Sequence, residues 1–459
     1  MGLETPIEGS WWLPGQGRRS RRGVLREHPD GFELTLRIAW PLEQVQALDR
    51  AERVTLLGRA ESGRPVTLAY GFLKAYKLPS PEVSEATFHF DLVILGSHFP
   101  DFDDACVSEL TARIPALDEW LGSSGMTVDL IRSPREVSIH FSTPENLEFE
   151  LEPGLQLVFD FHRRGPVISQ PQLRANLEQE VWLTLRATPP RKSAELQIVL
   201  RRLANLFSLL VGEPIEYQKM YVRSPRALER QGNRNQSVRS EVLFSPLAVE
   251  FVDKVIPAHR MLLRYSDVQD TLPSLFQRWL RSYEQLQPSY DAFFGLQRRD
   301  PGYQEPRLLG LVQALESLHR RIQRREPKRD HQARLERILK PLDANDRKWL
   351  KGKLRHSHEP QLRDRLVEML EPYGDLFGAT ENRVQFAERV AATRNYFTHY
   401  DPAMKDRAVP ASKLLPHLFR LRVLFVLQCL LQLGFTAEEA RHHIERNDRL
   451  NQMVRFGKI

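Results

Sequence analysis

The sequence predicts an α+β multidomain protein, with a β-rich, sandwich-like domain over residues 1–245 and an all-α helical bundle over 291–459. Residues 246–290 read as a boundary region or linker helix. Three observations lead there. A chain of 459 residues outgrows one ordinary hydrophobic core. Its first half alternates apolar with polar residues, whereas its last third repeats apolar residues every three or four positions. Finally, 41% of its residues are hydrophobic, enough to bury a core and too many for global disorder.

Taken in chain order, Phe32–Ile38 alternates apolar and polar residues as a half-buried strand requires, and so do Val137–Phe141 and Leu147–Leu151. Val54–Leu57, Val66–Tyr70, Phe88–Leu95, Leu155–Phe161 and Val181–Leu185 are further strands. Gly63, Pro79, Pro81, Pro153-Gly154 and Pro189-Pro190 punctuate them. Short strands between turn signals imply an antiparallel sandwich or open barrel. Two helices are expected to interrupt it, over Asp103–Leu121 and Ser193–Val211. Residues 223–241 are polar, arginine-rich and without an apolar period, so they read as an exposed, mobile loop. Beyond about residue 245 the period changes. Leu308, Leu311, Val312, Leu315, Leu318 and Ile322 form one helical face, Phe386, Val390 and Phe397 a second, and Leu414–Leu433 a third.

Charge and cysteines narrow the function classes. A net charge of +7 is compatible with a polyanion such as RNA, and equally with plain solubility. Cys106 and Cys429, far apart in apolar surroundings, exclude a disulfide framework and a cysteine-rich zinc site, and suit a reducing cytoplasm. The opening Met1–Pro6 lacks the order of a signal peptide. The most apolar run, Leu421–Phe435, is interrupted by Arg422, Gln428 and Gln432, so a buried helix is expected rather than a membrane span.

The pattern Arg-x-x-x-x-His occurs twice, at Arg135–His140 and at Arg394–His399, about as often as chance allows. Context separates the copies. The first sits in an alternating strand whose apolar face is Val137, Ile139 and Phe141, which leaves His140 on the wet face as a decoy. The second follows an amphipathic helix and stops at Asp401-Pro402; a residue before proline disfavours helix, so the helix should end near Tyr400. His399 then lies in the last turn, where the backbone carbonyls favour a cation. Five residues along a helix rotate about 140°, so Arg394 and His399 flank a cleft rather than share a stripe.

The run Thr393-Arg394-Asn395-Tyr396-Phe397-Thr398-His399-Tyr400-Asp401 resembles the Arg-Asn-x-x-x-His signature of HEPN domains in their ApeA-like version. Leu308–Arg321, with Gln313, Glu316 and His319, is similar to the first core helix of that family. Gly9-Ser-Trp-Trp-Leu-Pro followed by Gly23-Val-Leu is similar to the opening of the ApeA N-terminal domain. The resemblance implies a HEPN helical domain after a β-rich sensor or regulatory domain. The implied activity is that of a metal-independent endoribonuclease of anti-phage abortive infection, acting on RNA; the sequence does not say which RNA, and a transfer RNA loop is the guess the resemblance suggests. It also implies a homodimer with a composite cleft, a phage protein as trigger, and 2′,3′-cyclic phosphate products.

Within that chemistry histidine takes the ribose 2′-OH proton near neutral pH, arginine holds phosphorane charge in a bidentate fork, and Asn395 orients the phosphate or a base. Glu316 either holds Arg394 or makes a surface salt bridge, and His319 is either a satisfied core histidine or a catalytic helper. The basic run 320–334 either guides RNA or is a solvated helix end. His356, His358, His442 and His443 lack the companions of a metal site, so no metal or other cofactor is expected. Two other classes stay open: a non-catalytic HEPN scaffold, and a binding module whose β-rich half recognises a protein or sugar.

Overall fold

The computed structural model describes residues 3–456 apart from 4, 39–47, 49, 51–52, 81–82, 131–136, 172, 232–233, 246–254, 299–301, 324–328 and 356. The chain divides into two compact units, Met1–Gln277 and Arg278–Ile459. That division falls inside the stretch 246–290 and within a helix, Leu272–Arg298. Residues 246–254 of the expected boundary lie outside the described residues.

The first unit is strand-rich. Strands β1 (Ile7–Trp12), β2 (Arg21–His28), β3 (Gly31–Ile38), β4 (Val54–Ala60), β5 (Pro65–Ser80) and β6 (Val83–Leu95) run in the order β6-β3-β2-β1-β4-β5, and β5 pairs back onto β6. The alternation read in Phe32–Ile38 therefore points into a closed barrel, filled by Trp11, Phe32, Leu34, Phe88 and Phe90. The Trp-Trp opening has a packing cause. Trp11 is fully buried, its indole donates to the Gly23 carbonyl at 3.2 Å, and a Cβ on Gly58 would lie 2.2 Å from its ring. Only glycine fits beneath that indole.

The sheet continues through β7 (Cys106–Arg113), β10 (Leu147–Glu152), β11 (Leu155–Ile168), β12 (Ala175–Lys192), β13 (Lys219–Gln231) and β14 (Arg234–Phe244), in the order β10-β11-β12-β7-β13-β14-β6. A separate two-stranded sheet pairs β8 (Met126–Leu130) with β9 (Val137–Phe141). Helix α1 (Ala116–Leu121) is short; helix α2 (Ser193–Val211), at the bounds expected, packs on β7 and β12, with Phe207 against Phe159.

Four expectations in this unit are corrected. Asp103–Leu121 is not one helix: Cys106–Arg113 is an interior strand between β12 and β13, and only Ala116–Leu121 is helical. Val107, Leu110 and Ala112 are wholly buried there, so sheet pairing overrides a weak helical period. Residues 223–241 are not a loop but much of the β13–β14 hairpin, where a register shift between Arg223 and Leu228 hides the alternation. Polar side chains there also pack: Arg239 lies over the rings of Tyr221 and Trp182. Pro189-Pro190 does not end a strand but sits in a bulge of β12, between Arg186 and Arg191. In β9, Val137 and Ile139 are exposed beside His140, so that strand has no buried face.

The second unit is a helical bundle. It holds most of α3 (Leu272–Arg298), then α4 (Gln304–Ile322), α5 (Arg329–Leu339), α6 (Ala344–Lys353), α7 (Leu362–Leu370), α8 (Thr380–His399), α9 (Leu414–Leu433), α10 (Ala437–Arg446) and α11 (Asp448–Phe456). Helix α9 is central and packs on α4, α7, α10 and α11. Its Leu421, Leu424, Leu427 and Leu430 are fully buried, each stabilising by roughly 2 kcal/mol. Phe425 stacks on Phe293 with ring centroids 4.0 Å apart. The segment Pro402–Leu433 has the length and hydropathy of a membrane span, which the broken run did not suggest, but 72% of its apolar window is buried in the bundle. The α4 stripe is buried except Ile322, which lies at the exposed helix end.

Candidate active site

Helix α8 carries the Arg-Asn-x-x-x-His run, and its end is built by three local devices. Tyr400, the residue before Asp401-Pro402, adopts a left-handed conformation (φ 50°), and its N–H donates back to the Tyr396 carbonyl. A non-glycine residue there is strained by about 1 kcal/mol, and Tyr400 and Tyr70 are the only such residues among those described. Asp401 then caps the next turn by accepting from the Ala403 N–H at 3.0 Å. Buried Thr393 donates to the Arg389 carbonyl and accepts from the Val409 N–H at 2.9 Å, tying the returning chain to the helix. The rings of Tyr396, Phe397 and Tyr400 cluster beside it.

This frame places Arg394 and His399 differently. Arg394 is half-buried and its fork is occupied on two nitrogens: Nη2 donates to Glu316 Oε2 of α4 at 3.1 Å, and Nη1 to Asn395 Oδ1 at 3.0 Å. The guanidinium carries five N–H donors, so others stay available to an incoming anion. His399 is exposed on the last turn. The structure thus joins Arg394, Asn395 and Glu316 directly and sets His399 apart at the solvent end of the same helix.

His319 belongs elsewhere. It is 3% exposed, accepts from Arg365 Nη1 on Nδ1 at 3.2 Å, and therefore donates from Nε2 to Glu368 Oε2 at 2.9 Å. Of the two readings left open in the sequence, the satisfied core histidine is the one that fits. Sequence reasoning missed the ion-pair chain linking it to the motif. Glu316 also meets Arg320 (3.6 Å), Arg320 meets Glu359 (3.1 Å), and Glu359 meets Arg365 (3.0 Å). Its visible signal was the i,i+4 spacing of Glu316 and Arg320 on α4.

The first arginines of the basic run 320–334 are therefore structural: Arg320 is paired, and Arg321 donates to the Gln285 carbonyl. Arg324 and Arg325 lie outside the described residues, as does His356. No cluster of three His, Cys, Asp or Glu suited to a metal ion exists among the described residues. His140, the decoy, is exposed and lies 3.4 Å from Asp129 on the neighbouring strand.

Two protein families match this chain. One, described as ApeA N-terminal domain 1, covers residues 6–279, and the other, described as Apea-like HEPN, covers residues 309–439. The second span contains Glu316, His319, Arg394, Asn395 and His399. No curated protein and no solved structure matches the chain.

Proposed function

Because the chain belongs to the ApeA-like HEPN family, we propose that it is an anti-phage defence nuclease that cuts RNA at the Arg394–His399 helix end. Family membership supports a ribonuclease type of activity; the residue roles are our reading. The observation that carries them is an arginine fork held in place by Glu316 and Asn395 on the helix that ends in an exposed histidine. His399 takes the proton from a ribose 2′-OH as the oxygen bonds to phosphorus. The P–O5′ bond breaks, the 5′-oxygen gains a proton from water, and a 2′,3′-cyclic phosphate remains. Arg394 stabilises the phosphorane oxygens. The charge that builds up is met by the guanidinium, so the step is proposed to run without a divalent ion.

A homodimer juxtaposing two such helix ends would bring two Arg394–His399 pairs to one cleft, and transfer RNA loops are the proposed substrate. The β-rich unit is the proposed sensor of a phage protein. Incubating the full-length protein with transfer RNA, with fragment ends read by mass spectrometry and subunit number by light scattering, tests this reading. Intact RNA under all conditions would leave the second reading, a HEPN scaffold. The Glu316–Arg394 pair favours that alternative, since a neutralised arginine is also what a purely structural ion pair requires.

A further inference from the structure

Between α4 and α7, both of which carry the ion-pair chain, the sequence inserts the helical hairpin α5–α6. Its charge is concentrated. Residues 329–355 hold nine Lys or Arg against four Asp or Glu, an excess of five out of +7 for the whole chain. The hairpin is internally fastened. Arg347 donates to the carbonyls of Leu339, Lys340 and Leu342, closing the end of α5, and Asp343 caps α6 through the N–H groups of Asn345 and Asp346. At its base His331 meets Ser357 at 3.1 Å, and the Arg320–Glu359 pair joins the two stems next to Glu316.

One face of α6 is left open. Asn345, Lys348, Trp349, Gly352 and Lys353, spaced as one helical stripe, line a shallow hollow of about 550 Å³. Trp349 is 64% exposed, and nothing described lies within 4 Å of where a Gly352 side chain would begin. A tryptophan spends most of its surface in water here, beside a glycine that weakens the helix and fills no packing need. An indole flanked by lysines, next to a position with no side chain, suits a flat aromatic ring bearing a phosphate.

We propose that the α5–α6 hairpin is a holding arm for unpaired RNA, with Trp349 stacking on a base and Lys348 and Lys353 meeting the flanking phosphates. Stacking is open only to a base released from its pair, so the arm selects loops and single strands over duplex. A single aromatic on a charged helix gives too little apolar area to enter a membrane, which favours RNA over an anionic lipid surface. The inference rests on the nuclease reading for its relevance but not for its test.

The test is binding of a labelled twelve-nucleotide unpaired RNA to the full-length His399→Ala protein, followed by fluorescence anisotropy across salt. Trp349→Ala is expected to weaken binding roughly tenfold while Trp349→Phe nearly restores it. Lys348→Ala is expected to lower the salt slope by about 0.7. A duplex of equal length should show no Trp349 dependence. Unchanged binding in Trp349→Ala, equal losses on duplex, Trp349-dependent capture of phosphatidylserine vesicles, or loss of self-association alone would each overturn the arm. Absent cleavage by the wild-type protein with Trp349-dependent binding intact would instead count against the nuclease reading and leave the arm standing.

Discussion

Replacing Arg394 by lysine separates charge from geometry at the motif. The guanidinium uses two different nitrogens to reach Glu316 Oε2 at 3.1 Å and Asn395 Oδ1 at 3.0 Å. A single ammonium nitrogen cannot span both and still offer a paired fork to phosphate. The stability effect should be small: the partners are 35% and 23% exposed, so solvent screening holds the loss to about 1 kcal/mol or less. The chemical effect should be large, because losing one well-aimed donor to a transition-state oxyanion costs on the order of 10²–10³ in kcat. Binding should weaken only about threefold, since many other cations contribute. Single-turnover cleavage of a short unpaired RNA, with affinity measured separately, reads these apart. Arg394→Lys cleaving within about threefold of wild type, at equal Tm, would refute the fork.

Three further outcomes are expected. His319→Ala should destabilise the bundle by roughly 2–4 kcal/mol, because Arg365 and Glu368 lose a buried partner; an unchanged Tm with lost cleavage would instead move His319 into the chemistry. Cleavage should persist in excess EDTA, with Arg394 meeting the phosphorane charge; loss that magnesium or manganese restores on a pre-folded short substrate would contradict that. His417 is held below the usual histidine range by burial, with Arg420 and Arg389 adding to the effect. Its native form is neutral, so its stabilisation is present above about pH 6.5 and is lost as pH falls toward the folded value. His417→Gln should flatten the fall of Tm between about pH 6.5 and 5, and an unaltered slope would show another group responsible.

The helical half was legible because burial and period coincide. Leu308 to Leu318 and Leu414–Leu433 bury the residues that their spacing marks. The barrel was partly legible for the same reason, since Phe32, Leu34 and Leu36 alternate inward. What escaped had two physical causes. Cys106–Arg113 is a strand only because β12 and β13 flank it, and partners distant in sequence leave no local trace. The β13–β14 hairpin lays Arg239 over aromatic rings within a paired sheet, so a polar composition there reads falsely as a loop. At the site, the Arg394–Glu316 pairing agrees with one of the two readings the sequence left open. Beyond the Glu316–Arg320 spacing, the links from Arg320 through Glu359 to Arg365 were invisible, because they join separate helices and the segment between them by side-chain reach alone.

The most direct measurement pairs His399→Ala with His140→Ala in one cleavage assay on transfer RNA, with fragment ends identified by mass spectrometry. Both side chains are exposed, so either substitution should leave stability within about 1 kcal/mol of wild type. Wild type and His140→Ala are expected to yield 2′,3′-cyclic phosphate and 5′-hydroxyl ends at equal rates, and His399→Ala none. Equal cleavage by His399→Ala would contradict the assignment of the active site.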